Sequence, residues 1–214
     1  MTIKIEMIEY DEKKAWFVYQ LSSGDVFRLS YENYIKLGIH KGQSISSEIY
    51  HFMEDEDQKN LARYRGEAYA LYQPRTTFEI DQRLKQEGIR EDVRQDVLNC
   101  LEKRGLIDDS RYACRYAQEK SSTKSWSKRK IFAMLRQKGL SPDLIHRALN
   151  NLNDTVESEN IKTILDKKYG RRDLKDPKDF NRTYQALIRR GFPSGLVLKV
   201  MKTKAEEDTD NEKF

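Results

Sequence analysis

The sequence predicts a mainly α-helical protein, in which three tandem three-helix repeats follow a small β-rich N-terminal extension. Two observations support this fold class. A Gly-centred pattern occurs three times along the chain, and helical apolar stripes flank each copy on both sides. The composition, with 35% charged and 37% apolar residues and a mean hydropathy of −0.87, favours small helical units that each bury one face.

The N-terminal extension is predicted to span residues 1–59 and to begin with a small sheet. Apolar and polar residues alternate over residues 3–7, and strand-favouring side chains fill residues 15–21 and 26–29. The cluster Ser-Ser-Gly-Asp at residues 22–25 is typical of a turn between antiparallel strands. A sheet of this size is marginal alone, so we expect it to pack on a neighbouring element.

Two helices are predicted to complete the extension. Ser30 is a suitable N-cap for a short helix that ends near Leu37, since Gly38 follows it. A second helical pattern starts at Ser46 and continues to about Leu71.

The three repeats share one kind of helix end. In each copy an apolar residue lies four positions before a Gly, and a large apolar residue follows that Gly, as expected when the Gly ends a helix in the left-handed conformation. These glycines are Gly88, Gly139 and Gly191, spaced 51 and 52 residues apart. The predicted units are repeat 1 (residues 60–105), repeat 2 (106–153), repeat 3 (154–204) and an acidic, unstructured tail (205–214).

Repeat 2 illustrates the helical pattern. Asp108 or Asp109 is placed to cap its first helix, on which Tyr112 and Ala113 belong to an apolar stripe. Its second helix buries Leu135, and a Ser-Pro pair starts the third. The Asp-Asp pair also raises the possibility of a metal site, but adjacent residues on a helix do not face one another, so capping is favoured.

The sequence argues against several classes of protein. No apolar run approaches the ~18 residues of a membrane span, and the N-terminus lacks the pattern of a signal peptide, so a cytoplasmic protein is expected. Cys100 and Cys114 are predicted to be reduced, buried thiols. No catalytic motif, cofactor-binding motif or metal-ligand spacing is present, so neither an enzyme nor a cofactor is expected.

Charge is segregated along the chain. Residues 1–60 carry a net charge of −4, residues 61–204 carry +13, and residues 205–214 carry −4. A field of this size over the repeats favours an anionic partner, although basic residues also simply keep helix faces soluble.

The candidate binding surface consists of basic residues and one tryptophan in repeats 2 and 3. They occupy the second helix of repeat 2 with the loop before it, the loop between the first two helices of repeat 3, and the helix end before the last Gly. The candidates are Lys124, Trp126, Lys128, Arg129, Lys130, Arg136, Lys138, Lys167, Lys168, Arg171, Arg172, Arg189 and Arg190.

Two interpretations of Trp126 stay open. Its ring either stacks on a base beside the basic loop or packs at the entrance of the second helix. Sequence-specific operator binding is disfavoured, because the third helices of repeats 2 and 3, which begin at residues 141 and 193, carry few side chains suited to reading base edges.

At this point the residues resemble a known family, RecX, the regulators of the RecA recombinase. Residues 105–113, Gly-Leu-Ile-Asp-Asp-Ser-Arg-Tyr-Ala, match a family pattern, with Asp108, Asp109, Tyr112 and Ala113 at its characteristic positions. Residues 131–140, with Leu135 and Gly139, are similar to a second pattern, and residues 73–88 to a third. The loop at residues 124–128 departs from the family by lacking a Gly, and Tyr72-Gln73 stands where an Arg is common.

The resemblance implies an elongated, curved cytosolic regulator without catalytic activity. Such a protein would lie in the groove of the RecA–single-stranded-DNA filament and inhibit strand exchange, co-protease function and ATP turnover. Carried over, the basic residues would face the filament and its DNA. The alternative is a protein that acts by binding single- or double-stranded DNA directly. No membrane partner is expected, and the spread of charge favours a monomer.

Overall fold

The computed structural model describes residues 3–153 and 155–211 of the chain. It divides into two compact units, Met1–Ile107 and Asp108–Phe214. Unit 1 contains the elements β1 (Ile5–Asp11), β2 (Trp16–Leu21), β3 (Val26–Ser30), α1 (Tyr31–Leu37), α2 (Ser47–Tyr72), α3 (Thr77–Gln86) and α4 (Glu91–Lys103). Unit 2 contains α5 (Asp109–Lys124), α6 (Lys128–Gln137), α7 (Pro142–Asn150), α8 (Val156–Ile164), a π-helical turn (Leu165–Tyr169), α9 (Pro177–Arg189) and α10 (Ser194–Asn211).

The N-terminal strands form an antiparallel sheet in the order β1-β2-β3, as predicted. Tyr19 in the central strand pairs with Ile8 on one side and Phe27 on the other. One face of the sheet packs with Met53 of α2 into a common core. The Tyr19 side chain is fully buried there, and burial raises the pKa of its hydroxyl to about 12.

Helix α2 covers the free edge of β3. The buried Asp57 carboxylate accepts the backbone N–H of Arg28 at 2.6 Å and the Arg28 guanidinium at 2.9 Å, while Asn60 donates to the Arg28 carbonyl at 3.0 Å. Burial raises the pKa of Asp57, and the Arg28 charge opposes that shift. Because these side chains occupy the backbone groups of an edge strand, the sheet is protected from pairing with another chain.

Helix α2 also belongs to repeat 1. Met53 contributes to the sheet core, whereas Ala62 and Ala70 pack with α3 and α4. Gly66 brings α2 close to α4, since an added Cβ would lie 2.9 Å from the Val97 side chain. The boundary predicted between residues 59 and 60 therefore falls inside one continuous helix.

Each repeat has its own small core. Repeat 1 consists of the end of α2 with α3 and α4, repeat 2 of α5 to α7, and repeat 3 of α8 to α10. Asp108, the first of the two candidates, is the N-cap of α5 and accepts the N–H of Arg111 at 2.8 Å. Ser141 caps α7, with Pro142 in its first turn.

The predicted helix ends are confirmed. Gly88, Gly139 and Gly191 have φ values of +77°, +83° and +90°. In repeat 2 the Leu140 N–H donates to the Leu135 carbonyl and the Gly139 N–H to the Arg136 carbonyl, which is the Schellman arrangement. The same two bonds close the other helix ends, as in Phe192 to Leu187.

Two expectations require correction. Cys100 is exposed rather than buried, because the buried stripe of α4 contains Val97, Leu98 and Leu101 and leaves residue 100 on the solvent side; Cys114 is partly buried. The tail expected to be unstructured from residue 205 begins inside α10, where Ala205 still packs on the core of repeat 3. Residues 212–214 lie outside the described residues.

Candidate binding groove

A groove with a cavity volume of about 710 Å³ lies between α6 and α9 in unit 2. It brings together two of the predicted basic clusters, which are 60 residues apart in the sequence. Its lining consists of Arg129, Lys130, Ala133, Tyr169, Ala186, Ile188, Arg189, Arg190 and Gly191.

Ser127 joins the start of α6 to the end of α9. Its buried hydroxyl accepts the N–H of Lys130 at 3.2 Å as the N-cap of α6 and donates to the Arg190 carbonyl at 2.7 Å. Gly191 makes this approach possible, because an added Cβ would lie 2.9 Å from Ser127 Oγ and 3.4 Å from Arg129 Cβ. One serine thus sets the distance between the two sides of the groove.

Helix α8 forms hydrogen bonds with the corner between α5 and α6. The Glu157 carboxylate accepts the backbone N–H of Lys128 at 2.9 Å. Asn160, only 6% exposed, donates to Ser121 Oγ at 3.0 Å and to the Trp126 carbonyl at 3.3 Å. These contacts position the first turn of α6 relative to repeat 3.

The positive charges in the groove have no carboxylate partners among the side chains that the structure describes. Arg129, Lys130 and Arg189 are exposed and Arg190 is half-buried. Among the side chains of residues 3–153 and 155–207, the structure gives none of these four cations a carboxylate partner within ion-pair distance. The first turn of α6 carries three basic residues and no acidic one, which the helix dipole disfavours. An external anion in the groove would relieve both effects.

The remaining candidates lie outside the groove lining, and several have structural contacts. The Arg136 guanidinium donates to the Leu140 carbonyl at 2.6 Å, and Lys138 Nζ lies 5.5 Å from the Tyr112 ring centroid. The Trp126 ring packs against the repeat 2 core with Lys130 Nζ 4.0 Å from its centroid, which favours the packing interpretation of this residue. Within residues 3–153 and 155–207, no hydrogen bond, ion pair or ring contact involves the side chains of five of the candidates, which are Lys124, Lys128, Lys167, Lys168 and Arg171.

Tyr169 is a groove residue that the sequence analysis missed. It ends the π-helical turn that follows α8, and Gly170 follows it. The Arg172 guanidinium lies 4.5 Å from the Tyr169 ring centroid and donates to the buried Thr183 hydroxyl at 3.0 Å. The sequence signal was weak, because a Tyr beside two lysines does not reveal a widened helical turn.

Two further properties concern the described part of the chain. None of its helices is both long enough and apolar enough to cross a membrane. Within the same residues, His, Cys, Asp and Glu side chains do not gather in any group of three or more that could hold a metal ion.

Comparison with known proteins places the chain among a set of regulators. Residues 108–149 match the RecX second three-helix domain, and residues 156–201 match the RecX third three-helix domain. A protein of Finegoldia magna named "Regulatory protein RecX" is 29% identical over 211 residues, which cover 92% of this chain and 97% of the relative. A protein of the same name from Halalkalibacterium halodurans is 32% identical over 75% of this chain and 61% of its own length.

Solved structures agree with this placement. A crystal structure of regulatory protein RecX superposes with a TM-score of 0.70 at 27% identity, covering 94% of this chain and 99% of the other. The RecX structure from Lactobacillus salivarius, at 24% identity and a TM-score of 0.65, supports the fold over 70% of this chain.

The fold and the groove define a class of mainly α-helical proteins built of three-helix repeats, with four cationic side chains gathered between the last two repeats. The domain matches and the relatives that span nearly the whole chain identify it further. The chain belongs to the RecX family of regulatory proteins.

Proposed function

We propose that this protein is a non-enzymatic, cytoplasmic regulator that binds the RecA–single-stranded-DNA filament and inhibits its ATPase, recombinase and co-protease activities. The observation that carries the proposal is the groove between α6 and α9, where four cationic side chains converge without carboxylate partners in the described part of the chain. Membership of the RecX family supports the choice of the recombinase filament as the partner.

The chemistry of the groove suits a phosphate-bearing partner. Arginine guanidinium groups bind phosphate oxygens in a bidentate manner, and a lysine adds a point charge. Arg129, Arg189 and Arg190 supply the first kind of contact and Lys130 the second. Such contacts position a protein on nucleic acid without reading its sequence. They therefore fit a regulator that must act on a filament assembled on any sequence.

ATP hydrolysis by the cognate recombinase on single-stranded DNA, titrated with this protein, tests the proposal. We expect inhibition by the wild type and at least a tenfold higher half-inhibitory concentration for the double variant Arg129→Glu/Lys130→Glu. The matched control is Lys85→Glu/Lys103→Glu, which changes the same net charge at exposed sites of repeat 1. Full inhibition by a folded Arg129→Glu/Lys130→Glu variant would contradict the assignment of this groove.

Direct action on DNA is the second candidate function, and the same uncompensated cations favour it. The two functions differ in the concentration at which inhibition occurs. If the filament is the target, inhibition precedes coating of the free DNA; if DNA is the target, inhibition follows saturation of the bare strand. Binding to bare single strands should also weaken log-linearly with salt, with a slope near −0.7 per phosphate contact.

We also propose that the protein acts as a monomer. Sedimentation equilibrium would then give a mass near 25.4 kDa. A mass twice as large would overturn the proposal.

A further inference from the structure

Tyr169 places an aromatic ring among the cations of the groove. Arg129 and Lys130 contribute from α6, Arg189 and Arg190 from the end of α9, and Tyr169 lines the same cavity. An acidic protein surface would need only the cations. A nucleic acid strand offers both phosphates and bases, and each base has a face that can stack on an aromatic ring.

The chain holds this ring through an unusual local structure. The π-helical turn Leu165–Tyr169 adds a residue to the helical turn, and such turns are rare and frequent at functional sites. Only a glycine fits at position 170, directly after this turn, because an added Cβ would lie 2.7 Å from the Asp166 carbonyl oxygen. Arg172, anchored on the buried Thr183, lies against the Tyr169 ring. The π-helical turn, Gly170 and Arg172 thus fix the Tyr169 ring in position, and a regular α-helix would require none of the three.

Core packing alone does not account for a tyrosine at this position. Tyr169 is half-buried against the repeat 3 core, where Leu165 and Leu174 already provide fully apolar contacts. A leucine would fill that role. A tyrosine adds a flat π surface at the groove, and stacking of one base on such a surface changes affinity by about tenfold.

We infer that Tyr169 is the base-contacting residue of the groove and makes the groove selective for unpaired nucleic acid strands. This inference rests on the proposed function and deepens it, since it names the part of the filament that the groove would contact. In a duplex the bases are paired and stacked on each other, so the ring finds no partner there. The four cations contribute to either form of DNA.

Fluorescence anisotropy of the full chain with labelled strands tests the inference. The probes are oligothymidylate, a strand of equal length with abasic sites in place of the bases, and a duplex. We expect the wild type to bind oligothymidylate about tenfold more tightly than the abasic strand. Tyr169→Leu should lose this difference while keeping the affinity for the abasic strand, and Tyr169→Phe should retain it. Tyr184→Leu, in the same core but outside the groove lining, is the matched control and should also retain the difference.

Equal affinity of the wild type for the normal and abasic strands would overturn the inference, and this comparison needs no variant to fold. Binding of neither strand at low salt would overturn it as well. Retained discrimination by Tyr169→Leu would assign base contact to another residue. The ATPase assay is independent of all these results, because inhibition of the recombinase with no base discrimination would preserve the proposed function and remove only the role of Tyr169.

Discussion

Repeats 1 and 2 begin their central helices with the same geometry and opposite charge. Thr76 caps α3, and Glu79 at the third helical position accepts the Thr76 N–H at 3.1 Å. Ser127 caps α6 in the same way, but Lys130 occupies the position equivalent to Glu79. A carboxylate there stabilises a helix, whereas an ammonium group opposes the helix dipole. The first turn of α3 therefore stabilises its helix, whereas the first turn of α6 carries charge that its helix dipole disfavours.

The two regions also differ in how they use arginine. In unit 1 most of the arginines around repeat 1 face a carboxylate of the same unit. These pairs are Arg65 with Glu87, Arg75 with Glu79, Arg83 with Glu87, Arg90 with Asp55, Arg94 with Asp81, and Arg104 with Glu67. The groove cations of unit 2 have no such partner in the described residues. Repeat 1 thus uses its arginines in ion pairs within its own unit, whereas repeats 2 and 3 present theirs on a charged surface.

The largest expected effect comes from adding a side chain where α6 and α9 come closest. Gly191→Val should lower the free energy of unfolding by about 3 kcal/mol, because it combines a left-handed backbone with a clash against Ser127. Gly88→Val is the matched control in repeat 1: its φ is also positive, but nothing lies within 4 Å of an added Cβ, so about 1–2 kcal/mol is expected. Urea unfolding measures both. Equal losses would mean that the Ser127 contact adds no constraint.

A second, smaller effect tests the polar corner behind the groove. Asn160→Ala should lower the free energy of unfolding by about 2 kcal/mol, because Ser121 Oγ and the Trp126 carbonyl lose their donor in a buried site. Inhibition of the recombinase should weaken as well, since α6 loses its support.

The control for this substitution is Asn181→Ala on the exposed side of α9, which should change neither quantity. If a destabilised Asn160→Ala protein inhibited the recombinase as well as the wild type, the hydrogen bonds of Asn160 would not be needed for the function of the groove.

The smallest expected effects come from exchanging the charges at the two helix starts. Glu79→Lys removes the capping box of α3 and should cost about 1 kcal/mol. Lys130→Glu creates a capping box in α6 and should gain about 0.5 kcal/mol, because the lost contact with Trp126 offsets part of the benefit.

Thermal unfolding of both variants, together with the ATPase assay, completes this exchange. Lys130→Glu should be more stable and less inhibitory than the wild type, and Glu79→Lys less stable and equally inhibitory. A Lys130→Glu protein that loses stability would show that α6 does not carry the electrostatic strain ascribed to it.

Much of the fold was predictable because it depends on local signals. The spacing of Gly88, Gly139 and Gly191 identified the repeats, and Ser30 and Ser141 marked helix starts through their own backbone contacts. These features need only a few neighbouring residues. The apolar periodicity likewise placed the cores correctly.

The groove was predictable only in part, because its construction depends on residues far apart in the sequence. Arg129 and Arg190 stood out as basic clusters, but nothing local indicated that the Ser127 hydroxyl reaches the Arg190 carbonyl. Tyr169 was missed because the π-helical turn carries no distinctive periodicity. Cys100 was misplaced because an apolar neighbourhood in sequence is not a buried face in space.

The length of helix α2 affects how unit 1 unfolds. It runs 26 residues, about 39 Å, as one rod that contributes Met53 to the sheet core and Ala62 to the repeat 1 core. Opening either core frays the same helix, so the two should behave as one foldon. Native-state hydrogen exchange would then give the slowest amides of β2 and α4 a single opening free energy, although the sequence divides them into separate modules.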